Sequence, residues 1–598
     1  MKKKIIWLLV SSLMVLSLVL ASCGGEEEEE VVIPPGEEEE VVVPPGEEEE
    51  VVVPPGEGNW WDKFGEPQHG GTITITGGVP TTFDPANWLT SGTTGFFDQL
   101  FIWDWTVDRE KEWPFKTYVV PEKYIRGMLV ETWEWNDPQT LILHIREEVY
   151  WQNKPPANGR KFTAHDIEHH YDRALGTGSG YTEPNLLLGM WLAALQKATA
   201  TDDYTVEMKF RRPTPVSNWM AITAAGSQNE IENPEAVKQY GPLIKDWRHA
   251  IGTGPFILTD YVAESSMTLS RNPDYWGYDE RHPENQLPYV DELRILVIPD
   301  IATSRAALRT GKIDIITGVG WEQAVNFSKT NPELVQAAMP VNGYGVELRC
   351  DKEPFTDIRV RKALQMAIDR ETIAETLYGG LVDGKPCGFV SPFNMGYAFA
   401  YDEWPQELKD EYSYNPERAK QLLAEAGYPQ GFKTNVVVGT TDTDLLQVIQ
   451  SYFKDINVDM EIKVMEATVF NSYTLAGKHD QMVFRNWVGM LAPPDIGIMH
   501  LESVDPQNLN KVSDAGYDAL VAEFRTVTDE AEAQRVVREA DRYYLEHHWT
   551  VNMFPLVNYN IWQPYLKGYS GELIFIFQQY WYWSRLWIDQ DLKKAMGH

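Results

Sequence analysis

Residues 414–439 read YNPERAKQLLAEAGYPQGFKTNVVVG and carry the signals of a helix followed by a strand. Asn415 suits the N-cap of the helix, Pro416 its first turn and Gly427 its C-cap. The apolar residues of the segment recur with helical spacing on one face: Ala419, Leu422, Leu423 and Ala426. Residues 435–439 then predict a buried strand, so this stretch is a helix–strand unit.

The same alternation continues on both sides of that unit. Strands are predicted at 72–76 and 141–145, and Thr163 with Asp166 forms a capping box that opens a helix. Another helix is predicted from Asp357 onward. Strands alternating with helices indicate an α/β fold. A chain of 598 residues is too long for one hydrophobic core, so at least two lobes are expected.

Composition and charge limit the classes of function. The hydrophobic fraction of 43% and the charged fraction of 23% are typical of a soluble globular protein. The formal net charge is −36, and the chain stays acidic when the N-terminal glutamate blocks are left out. Such a charge repels phosphate backbones, so nucleic acid is not an expected partner.

The first 23 residues are predicted to be a lipoprotein signal. Three lysines at 2–4 precede an apolar segment at 5–20, which is shorter than the ~20 residues of a spanning helix. The following LASCG at 20–24 resembles a bacterial lipobox, which implies cleavage before Cys23 and diacylation of that residue. The alternative is an ordinary signal peptide that contains a cysteine. Either interpretation places the protein outside the cytoplasm, in the periplasm or on the outer face of the membrane.

Residues 24–67 are predicted to be an acidic tether. The unit EEEEVVVPPG recurs, with Ile33 in place of one valine, at 27–36, 37–46 and 47–56. Repelling glutamates and Pro-Pro pairs favour an extended spacer, at ~3.1 Å per residue on the order of 100 Å long. Calcium binding by the glutamates is a weaker alternative, because the turn glycine of a calcium loop is missing.

A series of short motifs resembles, in order, the family-5 extracellular solute-binding proteins of ABC importers. The motifs are GGT at 70–72, PTTFDP at 80–85, LVETWE at 129–134, LHIREEV at 143–149, FTAHDI at 162–167, GTGPF at 252–256, RNPDYW at 271–276, GKIDI at 311–315, PFTDIRVRKAL at 354–364, AIDR at 367–370 and YNPERA at 414–419. The resemblance covers the chain from His69 almost to its end. GTGPF and RNPDYW are the most specific of the set.

The resemblance implies a bilobed periplasmic-binding-protein-like α/β fold of type II with a hinge. Lobe I is expected at 68–345 plus 560–598, and lobe II at 346–559. The lobes would close on a solute and deliver it to a membrane permease. No P-loop is present, so the ATPase is expected on a separate chain. The protein is expected to be a monomer without cofactor and without enzymatic activity; a secreted hydrolase and a signalling receptor on the same fold are the alternatives.

The loop expected to bind the ligand departs from the pattern of the peptide-binding members. In peptide-binding members a W-x-G-D loop supplies an aspartate to the peptide ammonium, and here the corresponding residues are Trp487, Gly489 and Met490. Neutral Met490 argues against amine capture, unless Asp495 substitutes for the aspartate. A peptide-like solute is predicted on family frequency. The alternative is a cello- or xylo-oligosaccharide, supported by Met490 and by the 22 tryptophans.

Further residues are predicted to contact the solute. Trp88, Ser91, Gly92 and Thr93 belong to a stretch that resembles the T-S-G-T-T lining of the dipeptide pocket. Trp321 follows a predicted strand, Tyr344 lies at an expected crossing between the lobes, and Asn486 precedes Trp487 in the loop.

Two residue sets leave alternatives open. The spacing of His165, His169 and His170 allows a metal site, but a plain helix is the favoured interpretation, so no metal is expected. Cys350 and Cys387 could form a disulfide or remain buried thiols, because the sequence does not fix their distance.

Overall fold

The computed structural model describes residues 58–598 with the exception of 86–93, 118–119, 186–191, 193, 214–217, 220–221, 223–229, 441–442 and 574–581. The side chains of Thr94 and Asp495 are not described either. The predicted signal and residues 24–57 of the predicted tether lie outside the described residues, as do Trp88, Ser91, Gly92 and Thr93. The end of the predicted tether is described: Trp60 is buried in the core, and Asp62–Phe64 form a 3₁₀ turn. Contacts divide the chain into a unit 1–58 and a unit 59–598, and the fold below is that of the second unit.

The strands of this unit are numbered in chain order. They are β1 Thr72–Thr76, β2 Phe101–Trp103, β3 Ile125–Gly127, β4 Val130–Asp137, β5 Thr140–Ile145, β6 Leu195–Asp202, β7 Thr205–Phe210, β8 Phe256–Val262, β9 Ser266–Arg271, β10 Tyr278–Asp279, β11 His282–Gln286, β12 Glu292–Leu296, β13 Ile315–Val319, β14 Val335–Val341, β15 Gly343–Leu348, β16 Phe432–Gly439, β17 Val458–Met465, β18 Met482–Val488, β19 Thr550–Asn552, β20 Leu556–Trp562, β21 Leu566–Lys567 and β22 Trp587–Ile588.

The helices alternate with these strands. They are α1 Ala164–Leu175, α2 Pro234–Tyr240, α3 Ile301–Arg309, α4 Trp321–Thr330, α5 Ile358–Met366, α6 Arg370–Leu377, α7 Gln406–Tyr412, α8 Pro416–Glu425, α9 Thr443–Asp455, α10 Ala467–Leu475, α11 Pro494–Met499, α12 Ala515–Phe524, α13 Glu530–His547 and α14 Gln590–Ala595. Single 3₁₀ turns are found at Asp62–Phe64, Thr94–Phe96, Glu122–Tyr124, Trp247–His249, Tyr401–Glu403 and Tyr582–Arg585.

Two large mixed sheets organise the described residues. The first has seven strands in the order β14-β20-β13-β1-β12-β9-β8, and the second has five in the order β17-β16-β18-β15-β19. A four-stranded sheet, β4-β5-β7-β6, accompanies them. Separate groups of buried apolar residues pack on the two large sheets, for example around Leu293 in the first and around Val346 in the second. More than one core was expected from the chain length, and this expectation is confirmed.

The chain passes between the two large sheets twice. β14 ends at Val341 in the first sheet, and β15 begins at Gly343 in the second. The return runs from the end of β19 at Asn552 to the start of β20 at Leu556. We call residues 341–343 and 552–556 the crossings. The predicted lobe limits at 345/346 and 559/560 stay a prediction.

The local signals of the sequence are confirmed where they rest on capping. Thr163 and Asp166 form the predicted capping box of α1, and Asn415 accepts a hydrogen bond from the backbone N–H of Arg418 at 3.0 Å to begin α8. The end of α8 differs by one residue, because Ala426 is its C-cap. Gly427 follows with φ +96°, a conformation that glycine adopts without steric penalty.

The two most specific motifs meet at one buried carboxyl group. Tyr275 and Trp276, from RNPDYW, donate hydrogen bonds to Asp98 at 3.2 and 3.0 Å. Asn272 of the same motif donates to the carbonyl of Gly254, in GTGPF, at 3.0 Å. Burial raises the pKa of Asp98 to about 6, while these donors lower it. Both motifs therefore stabilise the packing of the seven-stranded sheet.

Candidate functional site

A β-bulge brings three of the predicted site residues together. In the pairing of β15 with β18, Gly343 lies opposite Val488 and Gly345 opposite Arg485, so the register shifts between the two pairs. Asn486 and Trp487 thus both lie opposite the single residue Tyr344. Bulges turn side chains away from the regular alternation of a strand, and they are frequent next to binding sites.

The indole of Trp487 is held by two neighbours. The guanidinium carbon of Arg485 lies 3.8 Å from the centre of a Trp487 ring, and the ring centre of His500 lies 4.6 Å away. Arg485 in turn donates to buried Glu347 at 2.6 Å. Burial raises the pKa of Glu347, while the charge of Arg485 lowers it. The cation–π contact and the ion pair fix the orientation of the indole at the end of β18.

Gly489 turns the chain directly after β18. Its φ of +61° lies in the left-handed region, and its N–H donates to the carbonyl of Gly388 at 2.9 Å. A Cβ at this position would lie 3.0 Å from Sγ of Cys387 and 3.5 Å from Cγ of Pro555. The turn therefore packs closely against the segment around residue 388 and against the second crossing.

Met490 is part of the packing rather than a polar group exposed to a ligand. Only 8% of its surface is exposed. Its N–H donates to the carbonyl of Phe389 at 2.7 Å, and its carbonyl accepts from the N–H of Ser391 at 3.0 Å. No charge is supplied at this position, in agreement with the argument against amine capture. The side chain of Asp495, the predicted substitute, is not described.

The loop after β18 is attached to both crossings. The N–H of Leu491 donates to Oδ1 of Asn342, in the first crossing, at 3.1 Å. A Cβ on Gly343 would lie 2.2 Å from the carbonyl oxygen of Phe554, so the two crossings pack backbone against backbone. A solute held at this loop would therefore lie beside the two connections that join the sheets.

Trp321 connects helix α4, which follows a strand of the seven-stranded sheet, to the end of helix α6. It is the first residue of α4, which follows β13 of the seven-stranded sheet. Its indole N–H donates to the carbonyl of Leu377 at the end of α6 at 3.0 Å. A Cβ on Gly379 would lie 2.6 Å from the indole ring. The side chain is half-buried, and its predicted role in binding the solute stays a prediction.

A cavity of about 300 Å³ lies next to the loop after β18. Its walls come from residues 381–402 and from Pro555 and Val557 at the start of β20. Cys387 and Pro555 line the cavity and also contact Gly489, while Val390, another lining residue, forms a bridge with Met490. The cavity therefore shares its wall with the predicted ligand loop.

Asp541, on α13, holds that wall in place. Its carboxylate accepts hydrogen bonds from the N–H groups of Phe389 at 2.9 Å, Val390 at 3.4 Å and Phe399 at 3.1 Å. A Cβ on Gly388 would lie 1.9 Å from Oδ1 of Asp541, so the segment approaches the carboxylate through a glycine. Burial raises the pKa of Asp541 to about 7, while the three N–H donors lower it.

We expect the wild-type protein to lose stability relative to Asp541→Asn as the pH rises from ~5 to ~8. An aspartate in an unfolded chain titrates near pH ~4, whereas Asp541 keeps its proton in the folded protein up to about pH 7. The stability linked to this proton is full below pH ~4 and is lost as the pH rises through 7. The difference amounts to on the order of 2 kcal/mol. Urea unfolding of both proteins at several pH values measures it.

The comparison with the asparagine variant isolates Asp541 from other buried acids. Asp98, with its pKa raised to about 6, contributes a slope of the same sign. That slope is present in both proteins and cancels in their difference. Unfolding free energies that run parallel over the whole pH range would contradict the assignment.

The remaining sequence hypotheses concern histidines and cysteines. His170 is buried and 2.5 Å from Glu232, while exposed His165 lies near Glu168 and Asp203. In the described part of the chain, no group of three or more His, Cys, Asp or Glu side chains is placed to hold a metal ion. Cys350 and Cys387 are free thiols, and burial raises the pKa of Cys350 to about 12. None of the described helices is long and apolar enough to cross a membrane.

Sequence reasoning did not identify several residues of this site. Arg485 could have been found, because residues two apart on a strand can lie on the same face, and it precedes Trp487 by two. Asn342 also had a signal in its position between two strands. Asp541 had none: it is one of 88 acidic residues, and only the tertiary structure brings it to the segment at 388–399.

Curated relatives and solved structures resemble this chain over most of its length. The periplasmic oligopeptide-binding protein OppA of Escherichia coli is 23% identical over 498 residues, which cover 77% of this chain and 87% of OppA. The glutathione-binding protein GsiB of Salmonella typhimurium is 26% identical over 451 residues, 73% of this chain and 81% of GsiB.

Among solved structures, the periplasmic binding protein DppA of Helicobacter pylori, in complex with the peptide STSA, has a TM-score of 0.65 at 22% identity. The aligned part covers 87% of this chain and 99% of the DppA chain. HbpA2 of Haemophilus parasuis has a TM-score of 0.69 at 20% identity, with 87% of this chain and 100% of its own covered. These likenesses confirm the predicted bilobed binding-protein fold.

Residues 124–508 match the family described as bacterial extracellular solute-binding proteins, family 5 Middle. This match confirms the predicted family and agrees with the prediction that the protein is not an enzyme. Because it spans more than half of the 598 residues, the chain belongs to the family-5 extracellular solute-binding proteins of bacteria.

Proposed function

We propose that this protein is the substrate-binding lipoprotein of an ABC importer and that it captures a peptide-like solute between its two large sheets. The observation that carries the proposal is the convergence of Tyr344, Trp487 and the loop at 489–491 on the crossings. A solute bound there contacts elements on both sides of the connections, so its binding energy favours the closed arrangement of two lobes. The solute leaves unchanged, to a permease served by a separate ATPase.

The names of the relatives support a peptide-like solute. OppA is an oligopeptide-binding protein, GsiB is a glutathione-binding protein, and the DppA structure contains the peptide STSA. All three ligands carry amide bonds. For this chain we propose the same class, with lobe I at 68–345 plus 560–598 and lobe II at 346–559.

The packing of Met490 refines how such a solute is bound. A buried thioether gives an ammonium group no partner, and an unpaired buried charge is strongly unfavourable. We therefore propose that recognition does not depend on a free amino terminus. N-acetylated peptides should bind about as tightly as their free-amine counterparts.

A thermal-shift screen of the purified protein tests the proposal. The arms are free-amine peptides, their N-acetylated forms, cello- and xylo-oligosaccharides, and nickel. A binder raises the unfolding temperature and is recovered unchanged. Stabilisation by oligosaccharides alone would favour the alternative solute class, and stabilisation by free-amine peptides alone would refute the role given to Met490.

A matched pair of variants locates the site. Trp487→Ala removes the indole at the bulge and should abolish most of the ligand-induced shift. Trp247→Ala is the control, because Trp247 is also half-buried and also stacks with an arginine, Arg248 at 4.9 Å, but lies on a 3₁₀ turn. Equal loss of the shift in both variants would argue against a site at the bulge.

We also propose that Cys23 anchors the protein to the membrane through a lipid. Two acyl chains on one residue hold a protein firmly, whereas one chain gives marginal binding. Cys23→Ser should therefore move nearly all of the protein from the membrane fraction to the soluble fraction of an expressing bacterium, and it should abolish labelling by a fatty-acid analogue. Membrane association that survives this substitution would contradict the anchor.

A further inference from the structure

The walls of the 300 Å³ cavity are mainly apolar, although it lies beside charged residues. Among the described residues that line it, the polar ones are Asp383, Lys385, Tyr401, Asp402 and the thiol of Cys387. Lys385 lies 3.4 Å from both Asp383 and Asp402, so these charges bind one another. The other lining side chains are leucine, valine, proline, phenylalanine and alanine.

The mouth of the cavity exposes large apolar side chains to water. Leu381 and Phe393, which line it, are 40% and 38% exposed, and the neighbouring Met395 is 54% exposed. Clustered apolar exposure of this kind is unfavourable in an unliganded protein and marks binding sites. Part of the apolar lining of the cavity is therefore open to water.

The wall of the cavity is fixed before any ligand arrives. Asp541 binds the N–H groups of Phe389, Val390 and Phe399, which lie in the segment that lines the cavity. The indole N–H of Trp404, which does not line the cavity, donates to the carbonyl of Phe399 at 2.9 Å. A preformed apolar site binds a matching group without the entropy loss of ordering a loop.

We propose that this cavity is a subsite for an aliphatic or aromatic side chain of the captured solute. The inference rests on the proposed function, and it narrows the solute to peptide-like molecules with at least one bulky apolar group. A volume of 300 Å³ is at the small end of ligand sites and has room for one or two such side chains. An oligosaccharide does not suit the cavity, because its hydroxyl groups would lose water without gaining hydrogen bonds on the apolar walls.

The position of the cavity connects the subsite to the rest of the site. Cys387 and Pro555 separate the cavity from Gly489, and Val557 belongs to β20 of the seven-stranded sheet. A peptide backbone near the bulge can therefore direct a side chain past the second crossing into the cavity. This arrangement also explains why a charge at residue 490 is dispensable, since apolar burial supplies binding energy in its place.

The first experiment compares trileucine with triserine by calorimetry on wild-type protein and on Ala400→Phe. Ala400 is half-buried and lines the cavity, so a phenylalanine there fills it. Burying one leucine side chain corresponds to about tenfold tighter binding or more, so the wild type should prefer trileucine by at least about that factor. Ala400→Phe should reduce this preference to about threefold or less, with the affinity for triserine unchanged.

Ala426→Phe is the matched control, because Ala426 is half-buried at the end of α8 and does not line the cavity. It should keep the wild-type preference. An equal preference for trileucine in the wild type and in Ala400→Phe would overturn the subsite while leaving peptide capture intact.

The second experiment separates the subsite from the proposed function. 4-Methylpentanamide, which carries the side chain of leucine on an amide, is titrated against the same proteins by saturation-transfer NMR. Saturable binding to the wild type and to Ala426→Phe, and its loss in Ala400→Phe, is expected. If this fragment binds but no tripeptide does, the apolar subsite stands and the peptide proposal falls. If the fragment does not bind the wild type, the subsite is refuted whatever the peptides do.

Discussion

Replacing Gly252 by alanine is expected to destabilise the protein by at least about 3 kcal/mol, or to prevent folding. A Cβ at this position would lie 1.6 Å from the carbonyl oxygen of Phe96 and 2.6 Å from its carbonyl carbon. Both are backbone atoms, so no side chain can rotate away. The strain cannot be relieved locally, because Gly252 and Gly254 are both hydrogen bonded through their backbones, to Gln152 at 3.0 Å and to Phe96 at 3.1 Å.

Gly439→Ala is the control for this substitution. Gly439 ends β16, has an ordinary φ, and has no atom within 4 Å of the position of a Cβ. Its replacement should change the free energy of unfolding by under about 1 kcal/mol. Urea unfolding, or the yield of soluble protein where Gly252→Ala does not fold, measures the contrast. Two variants of equal stability would show that the 252–256 segment moves freely against Phe96.

The motifs that revealed the family are mainly packing motifs. GTGPF brings its glycines against the backbone at Phe96, and RNPDYW supplies Tyr275 and Trp276 to Asp98. In GKIDI, Asp314 accepts hydrogen bonds from the N–H of Thr74 at 2.6 Å and from the hydroxyl of Tyr565 at 2.8 Å. Such motifs predict the fold, because each supplies a close backbone approach or a buried hydrogen bond on which the packing depends. They carry no information about the solute.

More of the fold than of the site could be predicted from the sequence, for a physical reason. Helix caps, such as those at Thr163 and Asn415, are local and depend on residues three apart. The site depends on the register between distant strands. A bulge between β15 and β18 places Trp487 opposite Tyr344, and the sequence of neither strand predicts this shift of register. The fully buried carboxylate of Asp541 reaches its partners across about 150 residues of chain.

Met490 shows how sequence and structure combine. The sequence indicated the loss of a charge at this position, but it could not say what replaced the charge. In the structure, Met490 is buried, and its backbone is hydrogen bonded to the segment at 389–391, which forms part of the cavity wall. Apolar Met490, at the position where peptide-binding members have an aspartate, thus lies beside the wall of an apolar cavity.

The second large effect is expected for Arg370→Met, which should destabilise the protein by about 3–5 kcal/mol. Arg370, in the AIDR motif, is buried and donates to the carbonyls of Asn552 at 2.7 Å, Gln365 at 3.1 Å and Tyr412 at 2.9 Å. Burial lowers the pKa of its guanidinium to about 10, so the group stays charged at neutral pH. Methionine keeps much of the volume but leaves these buried carbonyl oxygens without their donor.

The position of Asn552 gives this variant a functional consequence as well. Asn552 ends β19 and begins the second crossing, so its carbonyl fixes the point from which the chain returns to the seven-stranded sheet. Arg370→Met should therefore weaken solute binding in addition to stability. Arg418→Met is the control, since the side chain of Arg418 on α8 is 42% exposed and pairs with Glu425 at 2.8 Å, a type of contact that contributes about 0.5 kcal/mol. If both variants unfold at the same urea concentration as the wild type, the guanidinium of Arg370 does not hold the crossing, and the hinge must be stabilised by the close backbone contact of Gly343 with Phe554 alone.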